Sequence, residues 1–410
     1  MLVPHNGPVP GGHAPLDQDP SRRAFLLRAA AAALGVPLLP GLLHAAPATD
    51  ARAPQGPRGQ RKTKHVVLVA FAGGVRSKDV LDAPDNAPNL HRILKAGVVH
   101  PGLRTANVGH YGAALSIFTG NVEALGIRDD GRGRNPTLFE YLQKDAGFAQ
   151  SDLWLSTSNG AQGRLFAHSD HPDYGAAFAA NVLDGDGIFN VEFQKVLDAF
   201  GRPRQDGDQE AAILDELSAA LDPAALQDLQ GGAMDPAHLR RIERFILDEL
   251  TGSTTRVTGP GAGDAKAIRI GLNILRTFRP RFLGITLQNA DVAHGSYNGY
   301  VEVIRRNDQE LGALWDAIQQ DDALRDTTTV LVLPEFGRDQ DLNERNGLDH
   351  GDQSDCLHKV FFVGAGPDFA RGRTLRGDGA TIDLCPTVLS LFGHKPHRMV
   401  GGKALDGAFA

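Results

Sequence analysis

The run His65 to Phe71 (HVVLVAF) has six successive apolar side chains after its histidine. Such a segment has no polar face to turn to water, which suits a strand covered on both sides in a parallel sheet. Similar short runs recur at Phe282 to Leu287 (FLGITL), Thr328 to Leu333 (TTVLVL) and Lys359 to Val363 (KVFFV), with a shorter one at Leu153 to Ser156. Between the FLGITL and TTVLVL runs, Val301, Ile304, Leu311, Leu314, Trp315 and Ile318 fall at three-and-four spacing, the signature of a helix with one apolar face. Strand, helix, strand in that order predicts an α/β fold with a mainly parallel central sheet and right-handed crossovers. Two further helices are predicted. One spans Asn89 to Ala96 and is closed by Gly97; the other spans Thr137 to Ala146, where Thr137 and Glu140 have capping-box spacing. In a sheet of this kind reactive groups gather beyond the carboxyl ends of the strands.

The amino-terminal segment has a different character. Ser21-Arg22-Arg23-Ala24-Phe25-Leu26-Leu27 precedes a mostly apolar run through Leu43, then Ala46-Pro47-Ala48, a small-x-small cleavage pattern. The order of arginine pair, apolar run and cleavage site resembles a twin-arginine export signal over residues 1–48, implying a periplasmic or secreted protein handled by the twin-arginine translocase. Arg28, Pro37, Pro40 and Gly41 argue against a membrane-spanning helix there, and no later stretch is long and apolar enough to span, so no stable membrane anchor is expected after cleavage. Residues 49–63 are polar and rich in Pro, Gly and Arg, as a flexible lead-in would be.

Loss of three arginines and two aspartates with the signal moves the formal charge from -7 to -8. A mildly acidic chain is a poor match to a phosphate backbone, so no nucleic-acid partner is expected. Cys356 and Cys385 fit no zinc or redox spacing. An oxidising compartment would allow a disulfide between them, and two ordinary buried thiols account for the pair equally well. The folded domain is expected over residues 64–408. A charged, helical segment at about 191–262 breaks the alternation and is expected to be an insertion or cap over the site.

Three loops beside the predicted strands carry groups able to do chemistry. Asp291 and His294 stand three residues apart after FLGITL, and a carboxylate and an imidazole at that spacing can share a divalent cation. Glu335-Phe336-Gly337-Arg338 follows TTVLVL, and Asp349-His350-Gly351 precedes KVFFV.

In this order, with Gly364-Ala365-Gly366-Pro367 and Thr381-Ile382-Asp383-Leu384-Cys385-Pro386-Thr387 further on, the segment resembles the carboxyl-terminal half of alkaline phosphatase superfamily enzymes, a group that includes sulfatases, phosphodiesterases and phosphonate hydrolases. Gly74-Val75-Arg76, Pro88-Asn89-Leu90, Gly97-Val98 and Phe118-Thr119-Gly120 extend the resemblance over most of residues 64–395 apart from the insertion. Within the superfamily it is most similar to uncharacterised twin-arginine-exported bacterial members that share the Glu-Phe-Gly-Arg and Asp-His signatures. The resemblance implies a three-layer α/β/α sandwich, a divalent metal ion and a small anionic ester as substrate or ligand. Zinc is the first expectation for the ion, with manganese, magnesium or calcium as alternatives.

The departures from the superfamily pattern fall on one side of the implied site. Gly73 stands where the first strand would end in a metal-binding Asp, Phe336 replaces an imidazole ligand, and His110 lies at the nucleophile position counted back from Gly120. Asp291, His294 and His350 correspond to the other metal, with Glu335 as a further candidate ligand. Three readings follow. One retained cation could activate water for hydrolysis of phosphate or sulfate esters, with Arg76 or Arg338 steadying the anion and His110 as acid, base or unusual nucleophile. The fold could instead be a degenerate, non-catalytic relative that binds a ligand or partner. Or a remaining cation could be purely structural.

Overall fold

The structure is a computed structural model and describes residues 61–123, 131–184 and 257–410. The expected export signal, the expected lead-in up to residue 60 and residues 191–256 of the expected insertion lie outside the described residues. Eight strands form one sheet: β1 (His65–Phe71), β2 (Val98–Arg104), β3 (Leu153–Thr157), β4 (Asn181–Asp184), β5 (Phe282–Leu287), β6 (Thr328–Pro334), β7 (Lys359–Ala365) and β8 (Arg373–Thr374). Their spatial order is β4-β3-β5-β1-β6-β7-β2-β8. Only β7 runs against its neighbours, pairing antiparallel with β6 and β2; the remaining pairs are parallel.

The principal helices are α1 (Pro88–Lys95), α2 (His110–Thr119), α3 (Gly160–Phe166), α4 (Ala262–Phe278), α5 (Tyr297–Gln320) and α6 (Leu384–Leu391). Because successive strand residues point to opposite faces, β1 feeds two cores. Val67, Val69 and Phe71 pack with Leu90 of α1, Ile268 and Ile274 of α4 and Leu311 and Ile318 of α5. Val66, Leu68 and Ala70 pack with Leu115 and Phe118 of α2, Phe166 of α3 and Val388 of α6. Helices therefore cover both faces, and the three-layer α/β/α sandwich expected from the sequence is present. Each such fully buried Val, Leu, Ile or Phe contributes roughly 1.5–3 kcal/mol of transfer free energy. No helix of the described residues is long and apolar enough to cross a membrane.

The expected elements largely match. The long α5 buries Ile304, Leu311, Leu314, Trp315 and Ile318, and partly buries Val301. The Thr137–Glu140 pair does start a helix, with the Thr137 N–H donating to Glu140 Oε2 at 2.6 Å. That helix is short and loosens into a π-helical turn at Tyr141–Asp145. The disulfide does not form: Cys385 is a buried free thiol within the α6 core, and Cys356 is a half-buried free thiol.

Candidate metal centre

Strand β1 lies between β5 and β6, and the three end level, with Phe71 in register with both Leu287 and Pro334. The chain leaves β1 through Gly73-Gly74, β5 into a 3-10 turn over Asn289–His294, and β6 directly into Glu335. A Cβ on Gly73 would lie 2.5 Å from the Gln288 carbonyl oxygen and 2.8 Å from the Asp291 nitrogen. Glycine there is what lets the Asp291 turn close over the end of β1. Gly74 has φ +67, and a Cβ on it would meet Arg338 Nε at 2.8 Å. The Asp291 turn is also tied from outside the strands. Asp264, fully buried in the first turn of α4, accepts hydrogen bonds from Gln288 N (2.8 Å), Asn289 N (3.0 Å) and Asn307 Nδ2 (2.8 Å).

The structure brings His110, Asp291, His294 and His350 together, with one ligand atom of each lying within 4.8 Å of the others. His110 enters from the first turn of α2, after Gly109 in extended conformation. Its Nε2 is 2.9 Å from Asp291 Oδ1 and its Nδ1 is 2.5 Å from Glu335 Oε1. Both ring nitrogens thus face carboxylates, an arrangement met by the doubly protonated ring. Burial disfavours that charge, but Glu335 and Asp291 outweigh it and raise the His110 pKa to about 10. Burial likewise acts to raise Asp291, yet the hydrogen bonds and charges of His110 and Arg338 hold its carboxyl well below the usual carboxylate range. The His350 imidazole is pushed down to about 4 by burial and by the cations around it, so it stays neutral, as a metal ligand must be.

Asp349 was part of a sequence motif but carried no role of its own; the structure assigns it one. Its Oδ1 lies 2.6 Å from His294 Nδ1, which orients the ring and leaves Nε2 on the side of Asp291. A carboxylate behind a ligating imidazole is a common orienting device, and nothing in the spacing of Asp349 to His294 announces it, because they are 55 residues apart. Asp349→Ala should weaken divalent-metal binding by about 10–100-fold while leaving the fold intact, since the side chain is partly exposed and its contact with Arg345, at 3.2 Å, is at the surface. Competition titration against a chromophoric chelator reads this directly, and unchanged affinity would remove the role.

Glu335 stands behind His110 and outside the four-residue group. Its side chain is fully buried, and its Oε2 has no hydrogen-bond partner among the described residues. Phe336 is also fully buried, packed on Ala113 and Leu357, with its ring 4.7 Å from that of His110 and 5.1 Å from that of His350. It walls the side of the cluster where an imidazole ligand was expected to be lost.

The two arginines differ. Arg338 is fully buried against the cluster, with Nη2 2.5 Å from Asp291 Oδ1. Arg76 makes none of these contacts. Its Nε and Nη2 donate to Asp79 at 2.6 and 3.0 Å, and its Nη1 donates to the carbonyls of Asp339 and Gln340 at 3.0 and 2.9 Å. With that many of its five N–H groups engaged and the side chain buried, Arg76 holds the loop beyond β6 and does not face an incoming anion.

The donor chemistry fits a divalent cation: the His294 and His350 imidazoles and the ionised Asp291 carboxylate in one small volume, with His110 beside them and an orphaned buried carboxylate oxygen behind it.

No protein-family model matches the chain, and no curated protein matches it. Among solved structures, wild-type alkaline phosphatase PafA superposes with a TM-score of 0.55 at 11% identity, over 87% of this chain and 100% of that one. A substituted form of the same phosphatase gives 0.56 at 11% identity, over 86% and 100%. A sulfatase candidate from Bacteroides thetaiotaomicron gives 0.52 at 11% identity, over 84% of this chain and 74% of that one. The chain therefore has the fold of the alkaline phosphatases and sulfatases to which it is similar.

Proposed function

We propose that the protein is an exported, metal-dependent hydrolase of phosphate or sulfate esters working with a single divalent cation. The observation that carries this is the convergence of His110, Asp291, His294 and His350 at the carboxyl ends of adjoining strands. The fold it shares with an alkaline phosphatase supports an anionic ester as the substrate class. The export component rests on the arginine pair and apolar run of residues 1–48.

In this proposal Asp291, His294 and His350 hold the ion. The ion, when bound, supplies Lewis acidity and a more acidic water. The protein supplies the rest. Asp349 fixes the His294 ring, and Phe336 fixes the faces of His110 and His350. His110 carries a proton at Nε2, anchored through Nδ1 by Glu335, and can deliver it to the departing ester oxygen. The leaving group of a phosphate or sulfate ester needs that proton when it departs as an alcohol.

The test is hydrolysis by the purified protein of aryl phosphate monoesters, diesters and sulfate esters, with zinc, manganese, magnesium or calcium added singly. Turnover that a chelator abolishes and one of these ions restores is expected. Inactivity toward the whole panel with every ion would contradict a hydrolase.

One observation favours a second reading. If His110 Nε2 binds the ion directly, the four clustered groups form a closed sphere with no place for water, as structural zinc sites do. A protein that retains tightly bound metal and hydrolyses nothing would establish that alternative.

A further inference from the structure

The Arg338 guanidinium is a fully enclosed positive charge, its side chain having no exposed surface. Its contacts join three separate segments. Nη2 donates to Asp291 Oδ1 and to the Gly73 carbonyl at 2.5 Å each, Nε to the Gly74 carbonyl at 3.4 Å, and Nη1 to the Leu348 carbonyl at 3.3 Å. Those segments are the exit from β1, the turn carrying Asp291, and the residue just before Asp349-His350. Both glycines serve this seat: Gly73 admits the Asp291 turn, and a side chain on Gly74 would collide with Arg338 itself.

We propose, on the basis of the metal-centre function above, that Arg338 is a positioning residue that builds the metal site from within: its guanidinium is a permanent internal cation that fixes Asp291 and the His350 loop at one spacing before any ion arrives. The planar fork is what makes this feasible, since it reaches a carboxylate and three carbonyls from a single buried point. Charge supports the same assignment. The half-exposed Asp291 and the buried Glu335 lie on either side of His110, and the guanidinium neutralises part of their charge on the flank that Phe336 and Gly73 leave without ligands. Arg338 faces protein on every contact described, so it acts on substrate only through Asp291.

The alternative is that Arg338 merely sits beside the site. A positive charge next to a metal ligand repels an incoming cation, so on that account its removal would leave metal affinity unchanged or raise it. The experiment compares wild type, Arg338→Met and Arg338→Lys, titrating Zn²⁺ against a chromophoric chelator and recording the visible spectrum of the Co²⁺ forms. Arg338→Met is expected to bind 10–100-fold more weakly, with an altered Co²⁺ band, on the scale of lost outer-shell support in other metal sites. Arg338→Lys keeps the charge but not the fork, and should stay impaired by about tenfold. Circular dichroism of the metal-free proteins shows whether each variant folds; should Arg338→Met fail to, Arg338→Lys decides alone. Zinc binding by either folded variant as tight as wild type overturns the positioning role. Wild type that binds no ion removes the metal centre and this role with it, whereas wild type that binds while both variants match it removes this role only.

Discussion

Asp291→Ala is expected to lower hydrolysis of a phosphate or sulfate ester by at least about 10³-fold, the equivalent of roughly 4 kcal/mol of transition-state stabilisation. Asp291 is the one carboxylate among the four clustered groups, and three positively disposed side chains converge on its Oδ1: Arg338 at 2.5 Å, His110 at 2.9 Å and His294 at 3.4 Å. Its loss takes away the anionic ligand and frees the ring that presents the proton. It also strands the Arg338 guanidinium. Breaking a buried pair costs about 3–5 kcal/mol, and because Asp291 is itself 47% exposed a loss of about 2–3 kcal/mol is expected here. Asp291→Asn separates the two effects, since it keeps the shape and loses the charge. Steady-state kinetics with the preferred ion present checks the first number and denaturant unfolding the second. Activity within tenfold of wild type would exclude Asp291 from the chemistry.

The largest effect on stability is expected away from the chemistry, at Asp79. Its carboxylate takes two bonds from Arg76, at 2.6 and 3.0 Å, and one each from the hydroxyls of Tyr300 (3.0 Å) and Tyr297 (3.2 Å). Asp79 and Arg76 are each about 5% exposed, so Asp79→Ala leaves a guanidinium with little access to water and a buried tyrosine hydroxyl short of an acceptor. The expected loss is about 3–5 kcal/mol. Asp79→Asn, able to accept some of the same bonds, should lose less. A cost below about 1 kcal/mol for Asp79→Ala would show that the pair is solvated in solution.

Much of this was legible in the chain. The apolar runs at β1, β5, β6 and β7 announced themselves because strands covered on both faces cannot afford polar alternation. The apolar face of α5 was as plain, since its period is that of a helix over more than six turns. Strands β2, β4 and the two-residue β8 were missed for the complementary reason: VVHPGLR, NVLD and RT are short or mix polar, Pro and Gly residues and lie toward the edges of the sheet, where one side needs no apolar cover. The antiparallel course of β7 was also hidden, because direction depends on the crossover and leaves no trace in a five-residue run.

At the site, loop position beside a strand was enough to single out Asp291, His294, Glu335 and His350. Partnership was not. That His110 lies between Glu335 and Asp291, 225 and 181 residues away, follows from sheet order alone. Arg76 and Arg338 looked alike as candidates to steady an anion, and only their partners separate them, one locked to Asp79 and the other to Asp291. Asp264 carried no signal beyond an acid in the first turn of a helix, yet it ties down the backbone leading into Asp291.

Metal stoichiometry of the purified protein, by elemental analysis of wild type, His294→Ala and His350→Ala after equilibration with zinc, tests the shared site most directly. Close to one ion per wild-type chain, falling to a small fraction in both variants, is the predicted result. An ion content near zero in wild type, or one that neither substitution changes, would contradict it.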